Sequence, residues 1–201
     1  MDTRGLMLSA ALMSLASGLV CSTVTAQWSV GVAVGADRFW GGSVEGAGLH
    51  RSFLPYRPTT VVFGLQRQSG KVALGLRLGY FSASLALEGA DGLSAVKGVF
   101  TVYNASPELT YQFATISANR LMVHAGPVIE VWSIADGGSE TRVGGQVALS
   151  LGIPLGARLI GSVRAGLGII PSPFASGKLD ANFARRPLWR RQVAAGLSYL
   201  L

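Results

Sequence analysis

The chain has 201 residues, 13% of them charged and 49% hydrophobic, with 27 glycines and a formal net charge of +7. Soluble domains carry about 25% charged residues, so this chain is short of the groups that solvate a surface, yet no internal stretch is apolar for the ~20 residues a spanning helix needs. One cysteine, Cys21, and two histidines far apart in sequence, His50 and His124, exclude a disulfide framework and a dedicated zinc site.

Residues 1–26 read as a secretory signal that is removed. Arg4 and the amino terminus outweigh Asp2, Gly5 to Val20 form an apolar run, and Val24-Thr25-Ala26 offers small residues before a cut. The run is shorter than a membrane span. A lipoprotein signal ending at Cys21 is disfavoured by Val20, which stands where a small residue belongs. Residues 27–201 are then one domain of a length that suits a single fold.

From Trp28 onward the pattern has period two, which is the signature of strands. Trp28, Val30, Val32 and Val34 alternate with Ser29, Gly31, Ala33 and Gly35. The glycine- and proline-rich segment from Asp37 to Pro58 reads as a long loop. Val61, Phe63 and Leu65 begin a second strand, Gln68-Ser69-Gly70-Lys71 is a tight turn, and Val72, Leu74, Leu76, Leu78 and Tyr80 mark a third. A long connection spans roughly Ser84 to Phe100, with flanks whose own alternation suits strands projecting past the membrane. Thr101 to Phe113 is a fourth strand, in which Pro107 removes a ladder donor and implies a bulge or bend.

A short link near Ser117-Ala118-Asn119 leads to a fifth strand, Leu121 to Trp132. The Ala135 to Ser139 loop, the Val143 to Leu151 strand, the Pro154-Leu155-Gly156 turn and the Leu159 to Ile169 strand follow. A last long connection, Pro171 to Trp189, precedes the terminal strand Arg191 to Leu201. About eight strands thus alternate short and long connections, as spanning barrels do. No solenoid-type repeat is present.

The terminal strand sets Val193, Ala195, Leu197, Tyr199 and Leu201 on one face. Gln192, Ala194, Gly196, Ser198 and Leu200 fall on the other. Its end, Gly196-x-x-Tyr199-x-Leu201, resembles the C-terminal signal of bacterial outer-membrane β-barrels, with Leu201 where phenylalanine is commonest. The mature chain resembles the small eight-stranded members of that group, the outer membrane protein A, X and W relatives. The resemblance implies an all-β fold, an eight-stranded antiparallel up-and-down transmembrane β-barrel with short periplasmic turns and long extracellular loops. It also implies residence in the cell outer membrane and insertion by the barrel-assembly machinery, which would read Gly196, Tyr199 and Leu201.

Which face points outward follows from what the second set of residues contains. Gly, Ala and Ser are poor strand formers on a solvated surface but fit an eight-stranded lumen barely wide enough for side chains. Among them stand Arg77, Glu108, Gln112, His124, Glu130, Gln146, Arg158 and Arg164, expected to form a polar network filling the lumen. Glu108 and Glu130 are expected to pair with Arg77 and Arg164 rather than to act as an acid and base. Aromatic residues suggest two rims: Trp28, Tyr111, Phe113 and Tyr199 at one, Tyr80, Tyr103, Trp132 and Trp189 at the other. Trp132 shares parity with the lumen set, so its place at the rim requires a bulge.

The cluster Arg185-Arg186-Pro187-Leu188-Trp189-Arg190-Arg191 is the strongest local charge. Its four guanidinium groups, those of Arg185, Arg186, Arg190 and Arg191, suit lipopolysaccharide phosphates at the outer rim. Export disfavours nucleic acid as the partner. No nucleophile elbow of the Gly-x-Ser-x-Gly type is present and no serine follows His124 at His-x-Ser spacing, so an enzyme is not expected, and neither cofactor nor metal is implied. Two functions stay open, a structural or surface-interaction protein acting through its external loops as a monomer in outer-membrane lipid, or a narrow channel for small or apolar solutes. A lipid-modifying enzyme is third.

Overall fold

The computed structural model describes residues 26–41, 43–45, 52–89, 92–135, 138–172, 183–184 and 186–201. The expected signal segment and Cys21 therefore lie outside the described residues, apart from Ala26. Among the described residues there are ten strands: β1 (Gln27–Gly41), β2 (Ser43–Glu45), β3 (Ser52–Ser69), β4 (Val72–Gly89), β5 (Gly92–Ile116), β6 (Asn119–Ile134), β7 (Gly138–Pro154), β8 (Leu159–Ile170), β9 (Phe183–Ala184) and β10 (Leu188–Leu200). Eight long strands, all but β2 and β9, form the wall.

Each long strand pairs antiparallel with its sequence neighbour, and β1 pairs with both β3 and β10, so the sheet closes on itself. Closure of the eight long strands leaves no open edge within the wall whose N–H and C=O groups would need water. At the seam β1 and β10 run in register from Ser29↔Leu200 to Gly41↔Leu188. Gly196 permits this approach: a Cβ there would lie 2.7 Å from both the Ala33 Cβ and the Val32 carbonyl oxygen. β2 and β9 pair with each other, and β2 with β3, beyond the rim at the far end from the short turns.

The strands overrun the expected loops. β1 continues to Gly41 and β3 starts at Ser52, inside the stretch from Asp37 to Pro58 that reads as loop. β4 and β5 pair as far as Gly89↔Gly92. A tilted spanning strand needs only ~9–11 residues, whereas β5 has 25, so this hairpin projects well past a bilayer. Glycines and prolines mark loops only when nothing beside them supplies a ladder, and here neighbouring strands do.

Pro107 causes no register shift. The β5–β6 ladder lapses between Ala105↔Ile129 and Leu109↔Ala125 and resumes in the same register. Pro107 and Pro127 stand opposite each other in that gap, and neither has an N–H to give. Gly126 fills the space, 2.1 Å separating its would-be Cβ from the Pro107 carbonyl oxygen. The register shifts fall elsewhere, at Tyr56/Thr59, Ala83/Leu85 and Gln112/Ala114.

The faces sort as the alternation expects. Leu76, Val147 and Leu197 are 42%, 54% and 47% exposed, among a continuous outward coat of Val, Leu, Ile and Phe. A water-soluble protein rarely exposes so large a contiguous apolar surface; hydrocarbon suits it. Outward aromatics frame this coat: Trp28, Tyr111, Phe113 and Tyr199 near the short turns, with Arg67 stacked over Trp28 at 5.7 Å. At the far end Tyr80 meets Tyr103 at 5.3 Å and Trp40 stacks on Trp189 at 6.0 Å.

Trp132 is the exception. It is fully buried inside the barrel rather than at the rim, because its lumen parity holds without a bulge at that end of β6. There it packs edge-on against Phe81 and Phe100, with Phe39 beside them. Together with Val102, Val128, Ile170 and Leu188 they form an apolar plug across the far end of the lumen.

The two interior glycine environments give a direct check on this packing. Gly126→Ala should destabilise the barrel by about 1–3 kcal/mol through overpacking against backbone. Gly64→Ala, whose Cβ would meet nothing within 4 Å, should stay within about 0.5 kcal/mol of wild type. Urea unfolding in lipid vesicles, followed by tryptophan fluorescence, measures both.

Candidate functional site: the polar lumen

Lumen residues arise wherever strand parity turns a polar side chain inward, and the barrel's narrow bore then obliges them to satisfy one another. The centre of the arrangement is Glu108 on β5. Arg164 on β8 grips it with two hydrogen bonds, Nη1 to Oε2 at 3.0 Å and Nη2 to Oε1 at 2.6 Å, and Gln146 Nε2 donates to Oε1 at 2.7 Å. A forked guanidinium on a carboxylate is the strongest of such contacts. Arg77 stands further off, at 3.7 Å from Oε1.

Gln146 also donates to Ser106 Oγ at 2.8 Å, while its Oε1 accepts from Arg190 Nη2 at 3.4 Å. Arg190 Nη1 donates to Glu130 Oε1 at 2.8 Å, and Glu130 Oε2 accepts from the Trp132 indole at 2.9 Å. Arg190 Nε lies 4.0 Å from Asp37 Oδ1. Asp37 accepts a hydrogen bond from the Thr60 hydroxyl through Oδ2, and its Oδ1 is buried without a hydrogen bond. A continuous chain of contacts thus runs from Glu108 through Gln146, Arg190 and Glu130 to Trp132 and the apolar plug.

His124 bridges strands. One ring nitrogen, Nε2, is 2.7 Å from Ser150 Oγ and the other, Nδ1, is 2.9 Å from Thr110 Oγ1, with Glu108 Oε2 at 3.7 Å. A serine beside a histidine is the beginning of nucleophilic chemistry, but the carboxylate here is engaged by Arg164 and Gln146 and Thr110 takes the Nδ1 position. Ser150 sits mid-ladder between Met122 and Arg164, so nearby backbone N–H groups are committed to strand pairing rather than turned toward an oxyanion. The cluster is suited to holding strands together.

Of the eight lumen residues expected from sequence, Arg77, Glu108, His124, Glu130, Gln146 and Arg164 face the interior. Arg158 does not. β8 starts only at Leu159, so Arg158 belongs to the turn, is exposed, and reaches Tyr199 OH at 3.5 Å. Parity has meaning only inside a strand. Gln112 lies at the mouth beside the bulge in β5 and donates to Thr115 Oγ1 at 2.9 Å rather than joining the ionic cluster. The carboxylate partners also differ: both Arg77 and Arg164 attend Glu108, and Glu130 has Arg190.

Arg190 therefore leaves the external basic cluster. It is buried within the lumen, while Arg191 points outward and stacks over Trp40 at 4.5 Å, and Arg186 is exposed. Arg185 lies outside the described residues. Sequence reasoning missed Asp37, Thr60 and Arg190 as lumen members, although the signal was there: Asp37 continues the parity of Ala33 and Gly35, and Arg190 that of Gln192 and Ala194. Of the expected assembly signal, Gly196 is at the seam, Tyr199 faces outward, and Leu201 N–H donates to the Trp28 carbonyl at 2.9 Å. Among the described residues no three His, Cys, Asp or Glu side chains converge on a metal position.

A closed eight-stranded antiparallel barrel with an apolar exterior, framed by aromatics and filled by ion pairs, is the architecture of the small transmembrane barrels. Comparison with solved structures agrees. The chain is similar to the crystal structure of Neisserial surface protein A, with 11% identity over 86% of this chain and 96% of that one and a TM-score of 0.59. It is similar also to the outer membrane protein OprG from Pseudomonas aeruginosa, with 13% identity over 87% and 96% of the two chains and a TM-score of 0.56. At such identities the likeness is one of fold. No protein-family model matches the chain, and no curated protein matches it in sequence.

The opposite placement of two adjacent arginines predicts opposite costs. Arg190→Met strands Glu130 in the lumen and should cost about 3–5 kcal/mol. Arg191→Met, which loses one exposed stack, should cost about 1 kcal/mol or less. Denaturant midpoints of the two variants in vesicles compare them directly.

Proposed function

We propose that this chain is an integral protein of the bacterial outer membrane with a structural or surface-interaction role, its lumen closed to solute flow. The observation that carries the closed lumen is the unbroken path from Glu108 to the plug, where Trp132, Phe81 and Val102 have no exposed surface. The outward apolar coat and the likeness to barrels of that membrane support the location. In this reading residues 1–26 direct export and are removed, and the short turns face the periplasm. The far end, with its projecting β4–β5 hairpin, meets the exterior. The seam residues Gly196, Tyr199 and Leu201 serve as the assembly-machinery signal. The closed wall of eight long strands has no edge to recruit a second copy, which favours a monomer, and nothing in the reading calls for enzymatic chemistry, a cofactor or nucleic acid.

Planar-bilayer recording tests closure. Wild-type protein should insert without conductance steps, whereas the double variant Trp132→Ala with Phe81→Ala should conduct, because removing the two rings opens the plug. Regular steps from wild type would transfer the function to the channel reading.

Lipid contact moves from the sequence cluster to a row on the outside. Arg38 on β1 lies directly opposite Arg191 on β10, both exposed, and exposed Arg57 follows on β3 two residues past the last β1–β3 pair, Ala36↔Thr59. Like charges placed opposite each other destabilise a sheet unless something neutralises them. No acidic side chain among the described residues pairs with these three. Trp40, Trp189 and Tyr56 lie alongside, with Arg57 over Tyr56 at 5.2 Å, which suits phosphates of lipopolysaccharide at the polar boundary. Replacing Arg38, Arg57 and Arg191 with Gln should lower lipopolysaccharide retained per barrel several-fold on purification in mild detergent, and retention equal to wild type removes this contact.

A further inference from the structure

We propose that the cavity at the short-turn end of the lumen is a binding site for a small oxyanion, such as a carboxylate or phosphate of a few heavy atoms, held by Arg77. The cavity has a volume of about 150 Å³, room for several waters or one small ligand. Its wall reaches out to Gln68, Arg120 and Leu200, next to the turns, and inward to Arg77, Glu108 and Arg164. The plug lies behind the ionic cluster, so the cavity is a dead end that a solute enters and leaves by the same mouth. It accommodates a ligand without offering passage, and so extends the closed-lumen reading without depending on it.

The charge balance around this space chooses the class of ligand. Arg77, Arg120 and Arg164 line it, and among the described residues Glu108 is the one carboxylate that does. Glu108 is already spoken for: its two oxygens take two hydrogen bonds from Arg164 and one from Gln146. Arg77, 3.7 Å away, is beyond hydrogen-bond reach, and among the described residues it makes no hydrogen bond at all, although its side chain is only 16% exposed. A guanidinium carries five N–H donors, and burying them without acceptors is costly. Arg120 likewise has no ion-pair or hydrogen-bond partner among the described residues.

Two cations without acceptors thus look into one small space. Water can take the hydrogen bonds but leaves an excess of positive charge around a narrow, partly apolar bore, three guanidinium groups to one carboxylate among the described lining residues, and an anion there gains Coulomb energy with each arginine. Ser29, Ser162, Ser198 and Gln66 on the cavity wall supply neutral donors for the remaining oxygens, and Met122 and Ile160 limit its size. The ligand is therefore small and oxygen-rich.

Titration of the purified barrel in detergent with inorganic phosphate and with acetate, at constant ionic strength against chloride, tests the site by calorimetry. Wild type should bind at least one of the two saturably with one site per barrel. Arg77→Met should weaken that binding about tenfold or more, the loss of a charge-assisted contact, Arg77→Lys should weaken it less, and Arg67→Met, on the outer face over Trp28, should leave it unchanged. Gly64→Leu provides a variant that keeps every charge: Gly64 lines the cavity and has open space where its Cβ would be, so the added side chain should fill the site and abolish binding. No saturable binding by wild type overturns the proposal. Binding that survives both Arg77→Met and Gly64→Leu, or either one if only that variant folds, overturns it equally by placing the anion elsewhere.

Discussion

The constraint on which everything else depends is closure of the backbone ladder. A strand facing hydrocarbon cannot leave N–H and C=O groups unpaired, so β1 must pair on both sides, with β3 and with β10. Once the ring is shut at eight long strands, its bore is set, and a bore of that size is barely wider than the side chains that point into it. Gly31, Gly35 and Gly196 then cease to be merely permissive residues. They are what lets β1 and β10 approach at the seam, where a Cβ on any of them would lie 3.1 Å or less from a carbonyl oxygen of the opposite strand.

A filled bore turns polar residues into a structural material. Ion pairs taken out of water gain little or nothing over apolar packing, but losing one partner of a pair is severe. The lumen answers this by sharing: Gln146 links the Glu108 cluster to Arg190, and Trp132 donates to Glu130 while presenting its ring to Phe81 and Phe100. One residue thereby joins the ionic layer to the apolar plug. The interior is graded along its length, from a small cavity at the short turns through charge pairs to packed aromatics.

The exterior follows the complementary rule. Apolar side chains occupy the band between two aromatic frames, and arginines stand where those frames meet water, Arg67 over Trp28 at one end and Arg191 over Trp40 at the other. Long cationic side chains lay their stems on apolar surface and lift their charge to the polar boundary. The alternation of Arg190 inward and Arg191 outward shows how a two-residue run can serve both regimes.

Much of this was legible in the residue order. Strand identity, the number of wall strands, the assignment of Leu76, Val147 and Leu197 to the outside and of Glu108, His124 and Arg164 to the inside all follow from period-two alternation, because a strand's pleat fixes side-chain direction locally. Parity, carried two residues further, would also have placed Asp37 and Arg190. Strand ends were not legible: Arg158 falls one residue before β8, and Gly41 ends a β1 that continues well past the apparent loop signal, since a ladder partner from a distant segment decides how far a strand persists. Pairing was not legible either. That Glu130 belongs to Arg190 rather than Arg164, that Trp132 packs inside the bore, and that Arg77 is left facing a cavity depend on strand stagger around the closed ring, which sets the heights of residues far apart in sequence and is a property of the whole barrel rather than of any strand.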